Sequence, residues 1–295
     1  MGKIAVVTGG TGGIGLETAL GLAAAGFEVV VVGRDAERGA RAVERIDAVG
    51  QGRGRFLAAD LASLDEVRAL AGRIAADCAA SGETLGVLVN NVGAMFAERR
   101  TAGGVEATFV VNHLSPYLLT ELLLPTLTAG APSRIVNVTS AAVGLGRRAF
   151  DAAEPPGGYY AFHWYGRAKL ANLAYTLDLA ARLDGTGVSV FAADPGGAAT
   201  DMTDGTMADP KIVSPALRLL WPLVRRRFAR ATSGPASVAA RPSIVAATDA
   251  ALDGRTGVVI GARARPVAPF RAATDARVAE AVRRLSERHA PLPTG

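Results

Sequence analysis

Ile4-Ala5-Val6-Val7-Thr8-Gly9-Gly10-Thr11-Gly12-Gly13-Ile14-Gly15 passes from a short apolar run into a cluster of glycines, and helical spacing of apolar residues follows over 16–25. That order predicts a strand, a tight turn and a helix. Glycines let the backbone approach a pyrophosphate closely, and the helix N-terminus behind them offers N–H groups and partial positive charge. The pattern T-G-x-x-x-G-x-G has one residue more between its first glycines than G-x-G-x-x-G. Between a strand and a helix it predicts dinucleotide binding, with Thr8, Gly9, Thr11, Gly13, Ile14 and Gly15 at the cofactor. A glycine cluster in any other setting is a plain turn.

Strands and helices alternate outward from this stretch. A second strand over 28–32 ends in Gly33-Arg34-Asp35, where an acidic group would hold the ribose 2′-OH of NAD; Gly33 stands in that slot. Arg34 beside it is suited to a 2′-phosphate, so NADP is expected over NAD. The alternative is a solvated loop arginine, and a second basic residue in the turn is missing, position 12 being Gly. A third strand over 56–59 leads to Asp60-Leu61, with Ser63 as N-cap of a helix reaching residue 80. A fourth over 85–89 runs into Asn90-Asn91-Val92-Gly93. Asp60 and Leu61 are expected at the adenine, and Asn90 and Gly93 under the cofactor; Asp and Asn are also ordinary turn residues. A long apolar helix over 104–127 contains Asn112-His113. A fifth strand over 135–138 delivers Thr139-Ser140, whose hydroxyls can donate to a developing oxyanion. A strand over 188–192 ends in Asp194-Pro195-Gly196, with Thr200 four residues on.

All these strand ends fall on one edge of a parallel sheet, where such folds bind ligands. The expected fold is α/β, a single-domain Rossmann-type doubly wound parallel sheet with helices on both faces. Its cofactor half spans about 1–140, and its catalytic helix, substrate loop and C-terminal part span 141–295. Length alone, at 295 residues, would also suit two domains, but no linker or internal repeat marks a boundary.

Tyr165-Gly166-Arg167-Ala168-Lys169 sets a phenol and an ammonium one helical turn apart on one face. A phenol titrates near 10, and a neighbouring cation lowers that value by stabilising the tyrosinate. The pair is then a candidate general acid or base. Isolated from the rest of the chain, it is an ordinary helix-surface pair. Between Ser140 and Tyr165 stand Phe150, Tyr159, Tyr160, Phe162 and Trp164, which with Tyr165 make six of the chain's sixteen aromatics. Such crowding suits a loop walling an apolar pocket, or loop packing alone. Residues 212–230 mix leucines with arginines and are read as a substrate lid, a membrane-touching segment being the alternative. A helix over 237–247, a strand over 257–260 and a polar helix over 275–288 close the chain.

Hydrophobic residues at 49% and charged residues at 20% describe an ordinary globular protein. The net charge is +5 with a pI near 9.8, but the basic residues are dispersed and all except Lys3, Lys169 and Lys211 are arginines, a pattern of GC-rich coding. No nucleic-acid partner is expected. The lone Cys78 rules out an internal disulfide and fits a reducing cytoplasm. No apolar run reaches 18 residues and the first residues lack a signal-peptide layout, so no transmembrane segment is expected. His113, His163 and His289 show no metal-ligand spacing, and no metal is expected.

Taken together, these motifs resemble the short-chain dehydrogenase/reductases, and most closely the retinol-dehydrogenase-like branch that includes the light-dependent protochlorophyllide reductases. Thr8, Gly9, Gly13 and Gly15 match the family's cofactor turn, Asp60 its adenine contact, and Asn90-Asn91-Val92-Gly93 its N-N-A-G element. Asn112, Ser140, Tyr165 and Lys169 match its catalytic tetrad; Pro195, Gly196 and Thr200 match its nicotinamide-side motif. The branch is carried by Val111-Asn112-His113-Leu114, Lys169-Leu170-Ala171-Asn172, the long spacing from Ser140 to Tyr165, and Arg284-Leu285-Ser286-Glu287. Ala168, Asp194 and the segment over 212–230 depart from it.

The resemblance implies hydride exchange between NADP(H) and a small hydrophobic carbonyl or secondary alcohol. Tyr165 would be the acid or base, and Ser140 would hydrogen-bond the oxygen. Lys169 would lower the Tyr165 pKa and bind ribose, and Asn112 would position a water relaying protons to Lys169. Tyr165 and Lys169 thereby also count as cofactor contacts. Two copies commonly pair through the helices bearing Asn112 and Tyr165, less uniformly in this branch. Redox-neutral chemistry on the same scaffold, and a non-catalytic NADP-binding protein, are the competing readings.

Overall fold

In the computed structural model, which describes residues 2–49, 53–146, 149–152, 154, 158–196, 212–218, 226 and 234–293, the apolar runs become strands of one sheet. The first half alternates β1 (Lys3–Thr8), α1 (Gly13–Ala24), β2 (Glu28–Gly33), α2 (Ala36–Val49), β3 (Gly54–Ala58), α3 (Leu64–Ser81) and β4 (Thr84–Asn90). A small hairpin, β5 (Thr101–Ala102) and β6 (Val105–Glu106), leads into α4 (Ala107–Phe109), a π turn (Val110–Leu114) and α5 (Ser115–Ala129). Then come β7 (Ser133–Val138), α6 (Ala161–Arg182), β8 (Val188–Ala193), the short α7 (Pro215–Arg218), α8 (Ala236–Thr248), β9 (Val258–Gly261), β10 (Arg265–Val267) and α9 (Ala276–His289).

The sheet order is β10-β9-β8-β7-β4-β1-β2-β3, parallel except for the antiparallel edge strand β10. Strands of such a sheet bury both faces, which is why β1 reads as an unbroken apolar run. Ile4 and Val6 face α3, α5 and α6, where they meet Leu70, Leu118 and Leu170. Ala5 and Val7 face the opposite layer, with Leu16 and Leu22 of α1, Ile46 of α2 and Ala246 of α8. Because β1, β4, β7 and β8 run parallel, Thr8, Asn90, Val138 and Ala193 end on one edge.

Three elements differ from the expectation. The helix expected from residue 104 starts at Ala107, because Gly103 and Gly104 take positive φ (57° and 80°) at the hairpin tip. Glu106, fully buried, then caps the helix by accepting from the N–H groups of Thr108 at 2.8 Å and Phe109 at 2.9 Å. The catalytic helix α6 starts at Ala161, four residues before Tyr165, so part of the aromatic insertion is helix. Helix α2, a strongly one-sided helix that brings Gly39, Ala42 and Ile46 to the core, falls outside the sequence expectation although its apolar positions recur at helical spacing. Thr200 and most of the 212–230 segment lie outside the described residues. Among the described residues no helix is long and apolar enough to cross a membrane.

Candidate active site

The glycine turn closes on the end of β4. Thr8 Oγ1 accepts from the N–H groups of Asn91 (3.0 Å) and Val92 (3.1 Å), while Asn91 Nδ2 donates to the Thr8 carbonyl at 2.9 Å. Gly9 and Gly13 have φ of 64° and 52°, which L side chains disfavour. A Cβ on Gly15 would lie 2.2 Å from the Gly9 carbonyl and 2.5 Å from Asn91 Nδ2, so only glycine fits where α1 meets the turn. The N-cap of α1, Gly12, makes no side-chain cap bond, and the first turn has no acidic residue. The first N–H groups of the helix are therefore left for an anion, and the cradle fits a pyrophosphate. Ile14 lies in the first turn of α1, its carbonyl accepting from Thr18 Oγ1 at 2.8 Å.

A Cβ on Gly33 would meet Thr11 Cγ2 at 2.8 Å. Thr11 thus takes the space that an acidic side chain at position 33 would need. Arg34 is exposed at the end of β2. A Cβ on Gly12 would come within 2.4 Å of an Arg38 guanidinium nitrogen, which places Arg38 over the glycine turn. The second basic group that the turn lacks in sequence is supplied from α2. Its only signal was spacing, four residues after Arg34 on the first turn of a helix.

Asp60 Oδ1 accepts from the Ala62 N–H at 3.0 Å, an Asx turn that leaves the other carboxylate oxygen uncommitted by that bond. Leu61, in contrast, buries its side chain in the core, so only its main chain faces the cleft. The expectation for Asn90 needs correcting. Its side chain points into the core, where Nδ2 donates to Thr120 Oγ1 and Asn137 Oδ1, both at 2.8 Å. Asn137 Nδ2 continues the ladder to Thr176 Oγ1 at 2.9 Å. These buried amides tie β4 and β7 to α5 and α6, and support of the glycine turn passes to Asn91. At the end of β8, Asp194 Oδ1 accepts from the Gly196 N–H at 2.9 Å, shaping the Pro195-Gly196 turn, where Gly196 has φ 73°.

Asn112, Ser140, Tyr165 and Lys169 come to this edge from the π turn, the end of β7 and α6. Asn112 is fully buried and grips Ala94 in both directions: Nδ2 donates to the Ala94 carbonyl at 2.7 Å and Oδ1 accepts from its N–H at 3.3 Å. Nδ2 also donates to the Thr108 carbonyl at 2.8 Å, so the side-chain amide is largely committed. The main-chain carbonyl of Asn112 also departs from the ordinary helical pattern. The residue four further on, whose N–H would ordinarily close on it, is Pro116, which has none. In the π turn the Ser115 N–H goes back to Val110. A Cβ on Gly93 would lie 3.3 Å from Asn112 Oδ1 and 3.6 Å from Lys169 Nζ, so the two polar groups flank that glycine.

The Ser140 hydroxyl lies near enough to the Tyr165 phenol to oppose the rise of its pKa. Ser140 Oγ accepts from the Ala142 N–H at 3.2 Å, which fixes the hydroxyl at the start of a 3₁₀ turn, Ala141–Leu145. Lys169 Nζ donates to the Val138 carbonyl at 2.9 Å and sits 5.9 Å from the centre of the Tyr165 ring. The electrostatics reverse the expectation from spacing. Burial pushes the Tyr165 phenol up to about 12, with the Asp194 charge adding and the Ser140 hydroxyl opposing. Burial also pushes Lys169 down to about 8. Spacing sets which face two groups share, whereas burial sets the direction in which each titrates.

Lys169→Met is therefore expected to raise the melting temperature of the cofactor-free protein at neutral pH. A folded pKa near 8, against 10.5 for an exposed lysine, sets about 3 kcal/mol against folding. That penalty is full below pH 8 and fades as pH rises to 10.5. Melting curves of both proteins across this window check it, and a gain that does not shrink with pH would refute the burial argument.

Around the Tyr165 ring, Met95, Ala142, Phe162, Ile212 and Val213 form a buried apolar cluster, with Tyr159 packed against it. Parallel strand ends, a phosphate-fitting glycine turn and a buried tyrosine with a serine hydroxyl and a lysine beside it define a dinucleotide-dependent oxidoreductase of Rossmann type. A model of the short chain dehydrogenase family matches residues 3–211. Mouse retinol dehydrogenase 11 is 39% identical over 224 residues, covering 75% of this chain and 67% of its own length. Among solved structures, a Mycobacterium paratuberculosis protein matches with TM-score 0.74 and 28% identity over 98% of this chain and 93% of its own. The Pseudomonas aeruginosa RhlG/NADP active-site complex matches with TM-score 0.66 and 30% identity, covering 88% of this chain and 94% of its own. The chain belongs to the short-chain dehydrogenase/reductase family, in its retinol-dehydrogenase-like branch, and is an NAD(P)-dependent dehydrogenase/reductase.

Proposed function

We propose that this chain exchanges hydride between NADP(H) and a hydrophobic carbonyl or alcohol, with Tyr165 as general acid or base. The observation that carries the reading is Tyr165 seated in the apolar cluster of Met95, Phe162, Ile212 and Val213, with Lys169 Nζ 5.9 Å from its ring and the Ser140 hydroxyl beside its phenol. A substrate oxygen between the two hydroxyls meets a donor from Ser140 and the proton of Tyr165, while its carbon skeleton is taken by the cluster. The bound cofactor supplies the hydride. Thr8, Gly9, Thr11, Gly13, Ile14 and Gly15 would hold its pyrophosphate, and Asp60 and the Leu61 main chain its adenine. Gly93, Tyr165, Lys169, Pro195 and Gly196 would hold its nicotinamide half. The Asn112 carbonyl, whose i+4 residue is Pro116 with no N–H to give, would hold a water serving Lys169.

Preference for NADP rests on Arg34 together with Arg38 over Gly12. The similar RhlG structure is an NADP complex, and the mouse relative is named for retinol, a long apolar alcohol. Pairing of two copies through α5 and α6 would have to share α6 with α9, which packs on it. The lone Cys78 is buried and supports placement in a reducing cytoplasm.

Purified protein given NADPH and a panel of hydrophobic aldehydes, ketones and quinones is expected to consume the cofactor, followed by its absorbance. NADPH that binds and is never consumed, whatever the carbonyl, would move the reading to redox-neutral chemistry.

A further inference from the structure

His113 follows Asn112 in the π turn, and no step proposed above uses it. It is fully buried, with Nε2 2.7 Å from Ser286 Oγ in α9. The Ser286 hydroxyl donates to the Val282 carbonyl at 2.7 Å, so toward the imidazole it is an acceptor and Nε2 carries the hydrogen. The rings of Phe109, Tyr117 and Tyr175 surround the imidazole at 5.0, 6.4 and 6.3 Å. Burial keeps the ring neutral, pushing its pKa down to about 3. His113 and Ser286 stand 173 residues apart, one in each of the segments 111–114 and 284–287 that mark the branch resemblance.

A π turn is an irregular insertion whose competitor is the ordinary α register. Slipping into that register would rotate Asn112 by about 100° and take it from Ala94 and Gly93. An anchor on the adjacent residue opposes the slip, and α9, which supplies none of the proposed cofactor or catalytic contacts, provides it. We propose that α9 is a positioning element: the hydrogen bond from His113 to Ser286 holds the π turn that presents Asn112 to Lys169. The inference rests on the hydride-transfer reading for its consequence in rate, but not for its consequence in structure.

Three variants test it: Ser286→Ala, His113→Gln, which keeps an N–H donor, and His113→Phe with Ser286→Ala, which replaces both partners by apolar groups. Each is measured for kcat, NADPH Kd, melting temperature and amide exchange over 107–115. Ser286→Ala is expected to lower kcat about tenfold with NADPH Kd unchanged, and to speed exchange over 110–115 about tenfold. His113→Gln should recover most of both. The double variant should regain the wild-type melting temperature yet stay slow and fast-exchanging. Rates and exchange that follow melting temperature through the series, or a Ser286→Ala protein like wild type in both, overturn the proposal. A wild type that turns over no carbonyl counts against the hydride-transfer reading, and exchange then decides the role of α9.

Discussion

Tyr165→Phe is expected to lower kcat for carbonyl reduction by about 10²–10⁴-fold, the usual worth of a positioned general acid. The substitution removes only the phenol oxygen. The ring keeps its place against Phe162 and the apolar cluster, and Ser140 keeps its bond to the Ala142 N–H, so the fold should melt as wild type does. Loss should appear equally in kcat and kcat/KM, as for a contact made in the transition state. The direction of the pKa shift adds a pH test. With burial holding the phenol near 12, Tyr165 is protonated at neutral pH and already set to donate in the reducing direction. Reduction should therefore stay level through neutral pH, while alcohol oxidation, which needs the phenolate, should climb as pH rises. A Tyr165→Phe protein within a fewfold of wild type would remove the tyrosine from the chemistry.

Replacing Arg34 and Arg38 together by alanine should weaken NADPH binding by at least about 10²-fold, since hydrogen bonds to charged groups contribute about 1.5–3 kcal/mol each. NADH affinity should barely change, because no other part of the glycine cradle is touched. Each single variant is expected to lose about tenfold or more. Both arginines are exposed, so the wild-type preference should also weaken as salt is raised. Fluorescence titration of both cofactors against the four proteins gives the ratio. Parallel losses for NADPH and NADH would show that the arginines support the turn rather than read the 2′-phosphate.

Much of this site is legible in the chain because its parts are local. Gly9 to Gly15 announce themselves between a strand and a helix, and Tyr165 and Lys169 share a face by spacing alone. Other parts are not local. Arg38 reaches Gly12 only because α2 folds back beside α1, and position 12 looked unsupported for that reason. Asn90 and Asn91 are adjacent and identical in type. Strand alternation sends the first into the core ladder with Thr120 and Asn137, and leaves the second to hold Thr8. The π turn is invisible to a periodicity count, since one inserted residue inside an apolar helix changes no composition.

The sequence by itself determined the order of the parallel strands, the anion cradle and the residue types gathered at the sheet edge, because periodicity, glycine and strand ends are properties of neighbours in the chain. Tertiary structure alone decided how those groups are charged and aimed. Burial, a property of the packed whole, raises the Tyr165 phenol and lowers Lys169 against the trend their spacing suggests. The aim of Asn112 likewise comes from Ala94 on one side and from the contact of His113 with α9 on the other, groups that only folding brings together.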